Sequence, residues 1–260
     1  GGGAAAGRAL TWPQLRMLLL AGLFDGVERG LQNKSFQYLS VATRTMLCST
    51  GIIFTMALAR ICRLESFDLM RAFALVVLVL GGCLQAVGLD RGGTPITGLV
   101  LVFVSLAASA ARWVMMQVIV EGFPSKERRH DAVTKIKMIA VMKPVDSLFC
   151  LTLSWWWERA SFTVVTDRLA AIVCLMASLI VCIVFCDLAI VSRTSAVALG
   201  VVMMLKEIPM VGAGVIIDKE DVTVWQMIGF AVCIVGALIY FRTRLMESAS
   251  APLKGEVDDP

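Results

Sequence analysis

Long apolar stretches follow one another along almost the whole sequence, and they limit what the chain can fold into. They run at about 14–37, 40–62, 70–88, 96–121, 135–158, 169–191, 193–217 and 222–241. A helix needs about 20 apolar residues to cross the ~30 Å hydrocarbon core of a bilayer. Of the 260 residues, 58% are hydrophobic and 17% are charged, whereas soluble domains have roughly 45–50% and about 25%. The sequence therefore predicts an all-α integral membrane protein with about eight spanning helices.

Positive charge between the predicted spans is distributed unevenly over the two sides of the membrane. Most of the Lys and Arg residues of the connecting loops fall on the side where the N-terminus lies. Cytosolic loops carry an excess of Lys and Arg. Both termini are therefore predicted to be cytosolic.

A weak internal repeat relates two of the apolar stretches. Residues 63–84 match residues 218–239 at an offset of 155, which aligns Gly81 with Gly236. In the predicted topology the two copies start on opposite sides of the membrane. This makes the match an inverted repeat, a feature typical of secondary transporters.

The repeat predicts how the chain is organised. The second copy ends a five-helix repeat over 89–241, whereas the first repeat, 14–88, shows three helices. The first two helices of a ten-helix transporter are therefore predicted to be missing from this sequence. A polar segment, 1–13, precedes the spans, and a disordered cytosolic tail, 242–260, is predicted to follow them.

Ionisable residues occur inside the predicted spans. A charge at the bilayer centre costs at least ~2.5–3.5 kcal/mol on insertion scales, so each one needs a partner, water or a ligand. A water-filled cavity lined by several helices accounts for this distribution. Internal ion pairs of Asp25 with Arg29 and of Lys143 with Asp146 are the alternative. The residues concerned are Asp25, Glu28, Arg29, Arg44, Arg112, Lys143, Asp146, Asp187, Lys206 and Glu207.

Lys206 and Glu207 stand side by side in apolar sequence, shortly before Pro209. At ~1.5 Å per residue, Lys206 lies roughly 20 Å into the bilayer from Arg193. Pro209 lacks an amide hydrogen and opens the helix, which is tolerated at depth only inside protein or beside a cavity. Adjacent side chains of a helix point about 100° apart, so Glu207 cannot easily neutralise Lys206. A bound anion is the predicted partner of Lys206, and a packed Lys–Glu pair is the alternative.

Four stretches carry a resemblance to a known family: "GVERGLQNKSFQYLSVATRTM", "ARWVMMQ", "DLAIVSRTSAVALGVVMMLKE" and "GFAVCIVGALIYF". In them the chain resembles the drug/metabolite transporter superfamily, in its triose-phosphate translocator and nucleotide-sugar transporter branch. It is most similar to the C subfamily of solute carrier family 35. The resemblance covers roughly 12–241. It implies ten helices in two inverted five-helix repeats, cytosolic termini, and exchange of phosphate-bearing sugars bound in a central basic cavity.

The resemblance also suggests a role for Lys206, which matches the lysine that holds substrate phosphate in the penultimate helix of plastid phosphate translocators. Those translocators have Arg at the next position, where this chain has Glu207. The difference favours a nucleotide sugar over a triose phosphate. The predicted substrate-binding residues are Lys206, Glu207, Arg112, Arg44, Lys143, Asp25 and Arg29.

The predicted function is that of a secondary antiporter and not of an enzyme. It would exchange a nucleotide sugar for a nucleotide monophosphate across the Golgi or ER membrane, without a cofactor. The expected partners are the phosphorylated sugar, the lipid bilayer and a second copy of the chain in a homodimer, with no nucleic acid. One alternative is a plastid translocator that exchanges triose phosphate or phosphoenolpyruvate for phosphate. Another is a non-transporting membrane protein that regulates a partner carrier.

Overall fold

The regular structure of the chain is helical throughout the part that the computed structural model describes, which contains no strand. That part comprises residues 11–64, 69–91, 95–123, 131–158, 167–194, 196–217, 219 and 222–254. Its helices are α1 (Trp12–Ser35), α2 (Val41–Cys48), α3 (Gly51–Ile61), α4 (Leu69–Arg91), α5 (Ile96–Glu121), α6 (Ala132–Glu158), α7 (Asp167–Arg193), α8 (Ala196–Ile216) and α9 (Val224–Lys254).

Six segments of the described chain are long and apolar enough to cross a membrane. The prediction of an all-α, multi-pass integral membrane protein is therefore confirmed. α1 and α6 are long helices too, but they are not among these six segments and carry more charge than they do.

Two helix boundaries differ from the prediction. The predicted span 40–62 is divided into α2 and α3 at Ser49 and Thr50. α9 continues to Lys254, so the described part of the predicted tail is helical, and residues 255–260 lie outside the described chain. Residues 1–10 of the polar N-terminal segment also lie outside it.

The helices form two compact units that are each discontinuous in sequence. Unit 1 comprises Gly1–Gly30 and Ala111–Ser195, and unit 2 comprises Leu31–Ala110 and Ala196–Pro260. Unit 1 thus contains most of α1, the end of α5, and all of α6 and α7. Unit 2 contains α2, α3, α4, the start of α5, α8 and α9.

Unit 1 contains a close contact between α1 and α6. Gly22, Gly26 and Gly30 recur every four residues and therefore lie on one face of α1. A methyl group added at Gly26 would lie 2.9 Å from Cβ of Phe149, and one at Gly22 would lie 2.6 Å from the carbonyl oxygen of Met142. Small residues let two backbones approach closely. The contact brings together the helices that carry Asp25 and Lys143.

α6 begins next to a capping carboxylate outside the helix. Asp131 accepts hydrogen bonds from the backbone N–H groups of Val133 and Thr134, each at 3.2 Å. These bonds satisfy amides that have no partner within the helix. The bond from Val133 contributes most to a lowered pKa of Asp131, since hydrogen bonding favours the charged carboxylate.

Unit 2 is built around α4 and α9, the helices that contain most of the two stretches that match each other in sequence. A methyl group at Gly81 would lie 2.6 Å from Sγ of Cys233, and one at Gly236 would lie 2.9 Å from Cγ of Leu78. At the repeat offset of 155, Cys233 is the counterpart of Leu78. The two contacts are therefore reciprocal, as in a self-complementary two-fold interface.

The same contacts give the direction of the two helices. Along α4 the order Leu78, Gly81, Gly88 corresponds along α9 to Gly236, Cys233, Gln226. Residue numbers rise on one helix as they fall on the other, so α4 and α9 run antiparallel. Opposite direction of two matching helices is what an inverted repeat requires. The wider division into repeats over 14–88 and 89–241 stays a prediction.

We expect Gly229→Ala to separate α4 from α9 and to lower the thermal unfolding temperature. The added methyl group would lie 2.6 Å from the carbonyl oxygen of Gly81 and 2.7 Å from the backbone nitrogen of Gln85. Because both are backbone atoms, a whole helix must move, and overpacking typically costs about 1–3 kcal/mol.

The matched control is Gly212→Ala in α8, where nothing lies within 4 Å of the added methyl group. This variant should be unchanged or more stable, because Ala favours a helix over Gly by roughly 0.5–1 kcal/mol. Unfolding followed by tryptophan fluorescence in detergent measures both variants. Equal shifts would contradict the close α4–α9 contact.

Candidate functional site

The charged residues that the sequence places in predicted spans form two groups, one in each unit. The group in unit 1 is a connected ion network with Asp25 at its centre. Asp25 is completely buried. Its Oδ2 lies 2.5 Å from Nζ of Lys143, and its Oδ1 lies 3.2 Å from Nε of Arg29 and 3.4 Å from Nε of Arg112. One carboxylate thus faces three cations, and these come from three helices.

Two further carboxylates complete this network. Glu28 accepts hydrogen bonds from Nη2 of Arg112 at 2.7 Å and from its Nε at 3.0 Å. Asp146 accepts one from Nζ of Lys143 at 3.0 Å and lies 3.5 Å from Nε of Arg29. Three cations therefore face three carboxylates, and the six groups are neutral in sum.

Additional contacts hold Arg112 in place. Its guanidinium lies 4.2 Å from the ring centre of Trp113, which permits a cation–π interaction. It also interacts electrostatically with Asp187 of α7. Arg112, Arg29 and Lys143, which the sequence assigns to the substrate site, are thus each bound to carboxylates of their own unit.

The structure contains both ion pairs that the sequence offered as an alternative to a cavity, Asp25 with Arg29 and Lys143 with Asp146. Spacing along a helix was sufficient to name them. The pairs between helices, Asp25 with Lys143 and Glu28 with Arg112, were not predicted, because they depend on the α1–α6 and α1–α5 arrangement within unit 1.

We expect Asp25→Asn to destabilise the protein strongly. The change leaves Lys143, Arg29 and Arg112 with one carboxylate too few, and removing one partner of a buried pair costs about 3–5 kcal/mol. Glu28→Gln is the matched comparison, because Gln keeps an acceptor for Arg112 and only one cation loses a charge partner. Thermal unfolding should show a clearly larger loss for Asp25→Asn. Equal losses would contradict the central position of Asp25.

The three other predicted site residues lie in unit 2. Lys206 and Glu207 belong to α8, and Arg44 belongs to α2, which packs against α8. Glu207 interacts electrostatically with both Lys206 and Arg44. Unit 2 therefore brings together Arg44, Lys206 and Glu207. These are the three predicted site residues that do not belong to unit 1.

The two cations of this group have no carboxylate within 4 Å among the residues that the structure describes. Lys206 is exposed and makes no hydrogen bond to that part of the chain. Arg44 is buried, its Nε has no hydrogen-bond partner there, and the ring of Phe36 lies 4.2 Å from its guanidinium. Oε2 of Glu207 is also buried without a hydrogen bond. Two cations and one carboxylate leave a positive charge, whereas each cation of the network in unit 1 faces carboxylates.

Local structure places Arg44 in this group. α2 begins after Ser40, whose Oγ accepts a hydrogen bond from the N–H of Thr43 at 3.3 Å. This N-cap directs the first turn of α2 so that Thr43, Arg44 and Thr45 are all buried. A short, capped helix of this kind was not predicted, since the apolar stretch 40–62 reads as one span. The adjacent Ser49, Thr50 and Gly51 were the available sequence signal for a break.

α8 differs in one respect from the sequence-based expectation. The helix continues through Pro209 to Ile216. The opening expected at Pro209 is therefore limited to the hydrogen bond that a proline cannot donate. The helix that carries Lys206 is thus continuous, and the span that is interrupted is Val41–Ile61, which carries Arg44.

The fold and these charged groups define a multi-pass helical membrane protein with ionisable residues in its spans. No protein-family model matches the chain. It is similar to a protein of Arabidopsis thaliana described as a probable sugar phosphate/phosphate translocator, with 26% identity over 225 residues, which is 84% of this chain and 53% of the relative. The chain thus spans about half the length of this curated relative. The relative fits the transporter superfamily that the sequence resembles, and the C subfamily of solute carrier family 35 stays a prediction.

Proposed function

We propose that the chain belongs to a secondary antiporter that exchanges phosphorylated sugars across a membrane. The observation that carries this proposal is the positive charge of Arg44 and Lys206 in unit 2. A cation within a span requires a counter-charge, and a substrate phosphate group supplies one. The description of the Arabidopsis relative as a sugar phosphate/phosphate translocator supports the same class of substrate.

The three side chains of unit 2 have complementary chemistry for such a substrate. Lys206 offers a compact ammonium with three donors, and Arg44 offers a planar guanidinium that suits phosphate oxygens. Glu207 is an acceptor, and the hydroxyl groups of a sugar are donors. In this proposal Lys206 and Arg44 hold the phosphate group, and Glu207 binds the sugar.

The substrate pair we propose is a nucleotide sugar exchanged for its nucleotide monophosphate, in the Golgi or ER membrane. Glu207 favours it, because an acceptor stands where the plastid translocators have Arg. The second candidate is exchange of a sugar phosphate for inorganic phosphate, as in a plastid envelope, and the description of the Arabidopsis relative favours it.

The residues of unit 1 contribute less directly in this proposal. Arg112, Lys143, Arg29 and Asp25 remain candidates for substrate contact, but their charges already balance those of Glu28 and Asp146. A substrate that binds there must displace an existing ion pair. Such a network is also what a non-transporting membrane protein would use for packing alone.

We expect Lys206→Gln to abolish most of the binding of phosphorylated ligands. The test is thermal stabilisation of the purified protein by inorganic phosphate, triose phosphate, nucleotide sugars and nucleotide monophosphates. Loss of one charge-assisted hydrogen bond, worth about 1.5–3 kcal/mol, weakens binding roughly 10- to 150-fold. Arg44→Gln should have an effect of similar size. Lys137→Gln is the matched control, because Lys137 is exposed and lies in unit 1.

The identity of the stabilising ligand distinguishes the two candidate substrate pairs. Stabilisation by one nucleotide sugar and its monophosphate supports the first pair, and stabilisation by triose phosphate and inorganic phosphate supports the second. Exchange of the same ligands in proteoliposomes then tests transport. No stabilisation of the folded protein by any ligand, or equal binding by Lys206→Gln and Lys137→Gln, would contradict the proposal and favour the non-transporting protein.

A further inference from the structure

The interruption between α2 and α3 has the bonding pattern of a hinge. The backbone N–H groups of Ser49 and Thr50 donate three residues back, to the carbonyl oxygens of Met46 at 3.1 Å and Leu47 at 3.0 Å. This is the tighter 3₁₀ pattern, and inside a longer helix it often marks a functional hinge. The membrane span Val41–Ile61 is thus two helices joined by one tight turn.

Side-chain hydroxyl groups weaken the helix further at this turn. Oγ of Ser49 donates to the carbonyl oxygen of Met46 at 2.6 Å, and Oγ1 of Thr50 donates to that of Leu47 at 2.7 Å. Bonds of this kind compete with the backbone ladder and bend helices. Both side chains are buried, so water does not account for the pattern.

One residue of α4 braces the turn from outside. Gln85 is completely buried, and its Nε2 donates to Oγ of Ser49 at 3.1 Å and contacts Sγ of Cys233 at 3.6 Å. The glycine contacts of α4 with α9 fix the position of Gln85. The Gln85–Ser49 bond therefore connects a rigid helix pair to the turn that interrupts the span.

The nitrogen and the oxygen of the Gln85 side-chain amide differ in their hydrogen bonding. Its Oε1 is buried and has no hydrogen-bond partner in the described part of the chain. A buried acceptor without a partner costs about 1–3 kcal/mol, so this is not an optimal static contact. If the turn rearranges, a hydroxyl group released from its own helix can donate to Oε1.

Both parts of the broken span pack within unit 2. α3 is held through glycines, since a methyl group at Gly51 would lie 3.0 Å from Leu106 and one at Gly200 would lie 3.5 Å from Ile52. α2 packs Met46, an adaptable side chain, with Val211 and Phe230, and it packs Leu47 with Leu106. Bending at the turn would change the angle between α2 and α3.

We propose that Ser49 and Thr50 form a hinge through which α2 moves Arg44 relative to Lys206 and Glu207, and that Gln85 is the positioning residue that holds this hinge. Arg44 lies about one and a half turns before Ser49, at 3.6 residues per turn. A small bend at the turn changes the separation of the Arg44 and Lys206 charges. The role of Arg44 rests on the proposed function, whereas the hinge itself does not.

The hinge is tested first without a ligand, by amide hydrogen exchange of Ser49, Thr50 and Ile53. Gln85→Leu and Ser49→Ala each remove one end of the bond, and each should raise these exchange rates roughly fivefold, as expected for one hydrogen bond. The double variant should exceed the single variants little, because all three lack the same bond. Thr55→Val, which removes a hydroxyl group of α3 that bonds Gly51, is the control. Equal exchange in Gln85→Leu and Thr55→Val would overturn the hinge.

The link to Arg44 is tested with inorganic phosphate as the probe. In the wild-type protein, phosphate should slow exchange at the hinge and in α2, and Arg44→Gln should abolish the effect. Gln85→Leu should weaken phosphate binding several-fold while Lys206 is intact. Equal phosphate affinity in Gln85→Leu and wild type would overturn the link. If wild-type protein does not bind inorganic phosphate, the same measurements are made with the nucleotide monophosphates. If none of these anions binds, the proposed function and the role of Arg44 both fail, and the unliganded exchange still decides the hinge.

Discussion

The cost of placing a charge in hydrocarbon determines most of this structure. A charged side chain inside a span must find a counter-charge, because lipid supplies neither water nor ions. Unit 1 meets this requirement internally, since three carboxylates surround Arg29, Arg112 and Lys143. Unit 2 does so only in part, since among its described residues one carboxylate, Glu207, faces Arg44 and Lys206. Charged residues that all occur in apolar sequence are thus paired in unit 1 and only partly balanced in unit 2.

Close approach of helix backbones makes the ion pairs within unit 1 possible. Asp25 has a short side chain, and it reaches Lys143 because glycines bring α1 against α6. In unit 2, glycines likewise bring α4 and α9 close together and fix them as a rigid pair of helices. Glycine is unfavourable within a helix by roughly 0.5–1 kcal/mol relative to Ala. In both units the close packing of the two helices offsets that cost and positions the polar side chains.

The sequence allowed the helices and the local pairs to be predicted, because both depend on near neighbours. Apolar length located the spans, and spacings of three and four residues named the pairs Asp25–Arg29 and Lys143–Asp146. The match of Gly81 with Gly236 indicated two helices of opposite direction, which proved to pack against each other. Contacts between helices, such as Glu28 with Arg112, depend on distances that no local pattern contains.

The broken span was missed for a different physical reason. Ser, Thr and Gly have weak helix propensity, but in a membrane the need to satisfy backbone groups normally overrides it. At the interruption, the carbonyl groups of Met46 and Leu47 each accept a backbone N–H and a hydroxyl group of Ser49 or Thr50, so the break leaves neither carbonyl unpaired. Gln85 was also not recognised, because a single amide in an apolar helix gives no sign of its partner.

Charge balance in unit 2 also bears on the kind of transport that we propose. A site with two cations and no carboxylate would hold a phosphate dianion tightly and release it slowly. Glu207 reduces the net charge to one, and transport requires binding that is favourable enough to load but weak enough to unload. When the ligand leaves, Glu207 remains the counter-charge for Arg44 and Lys206, so the free energy of the empty site is lower than it would be without this carboxylate. If α2 can move Arg44 away from Lys206, repulsion between the two cations is smaller in the empty site. In the proposed function, the three side chains that bind the anion would thus also favour its exchange for another.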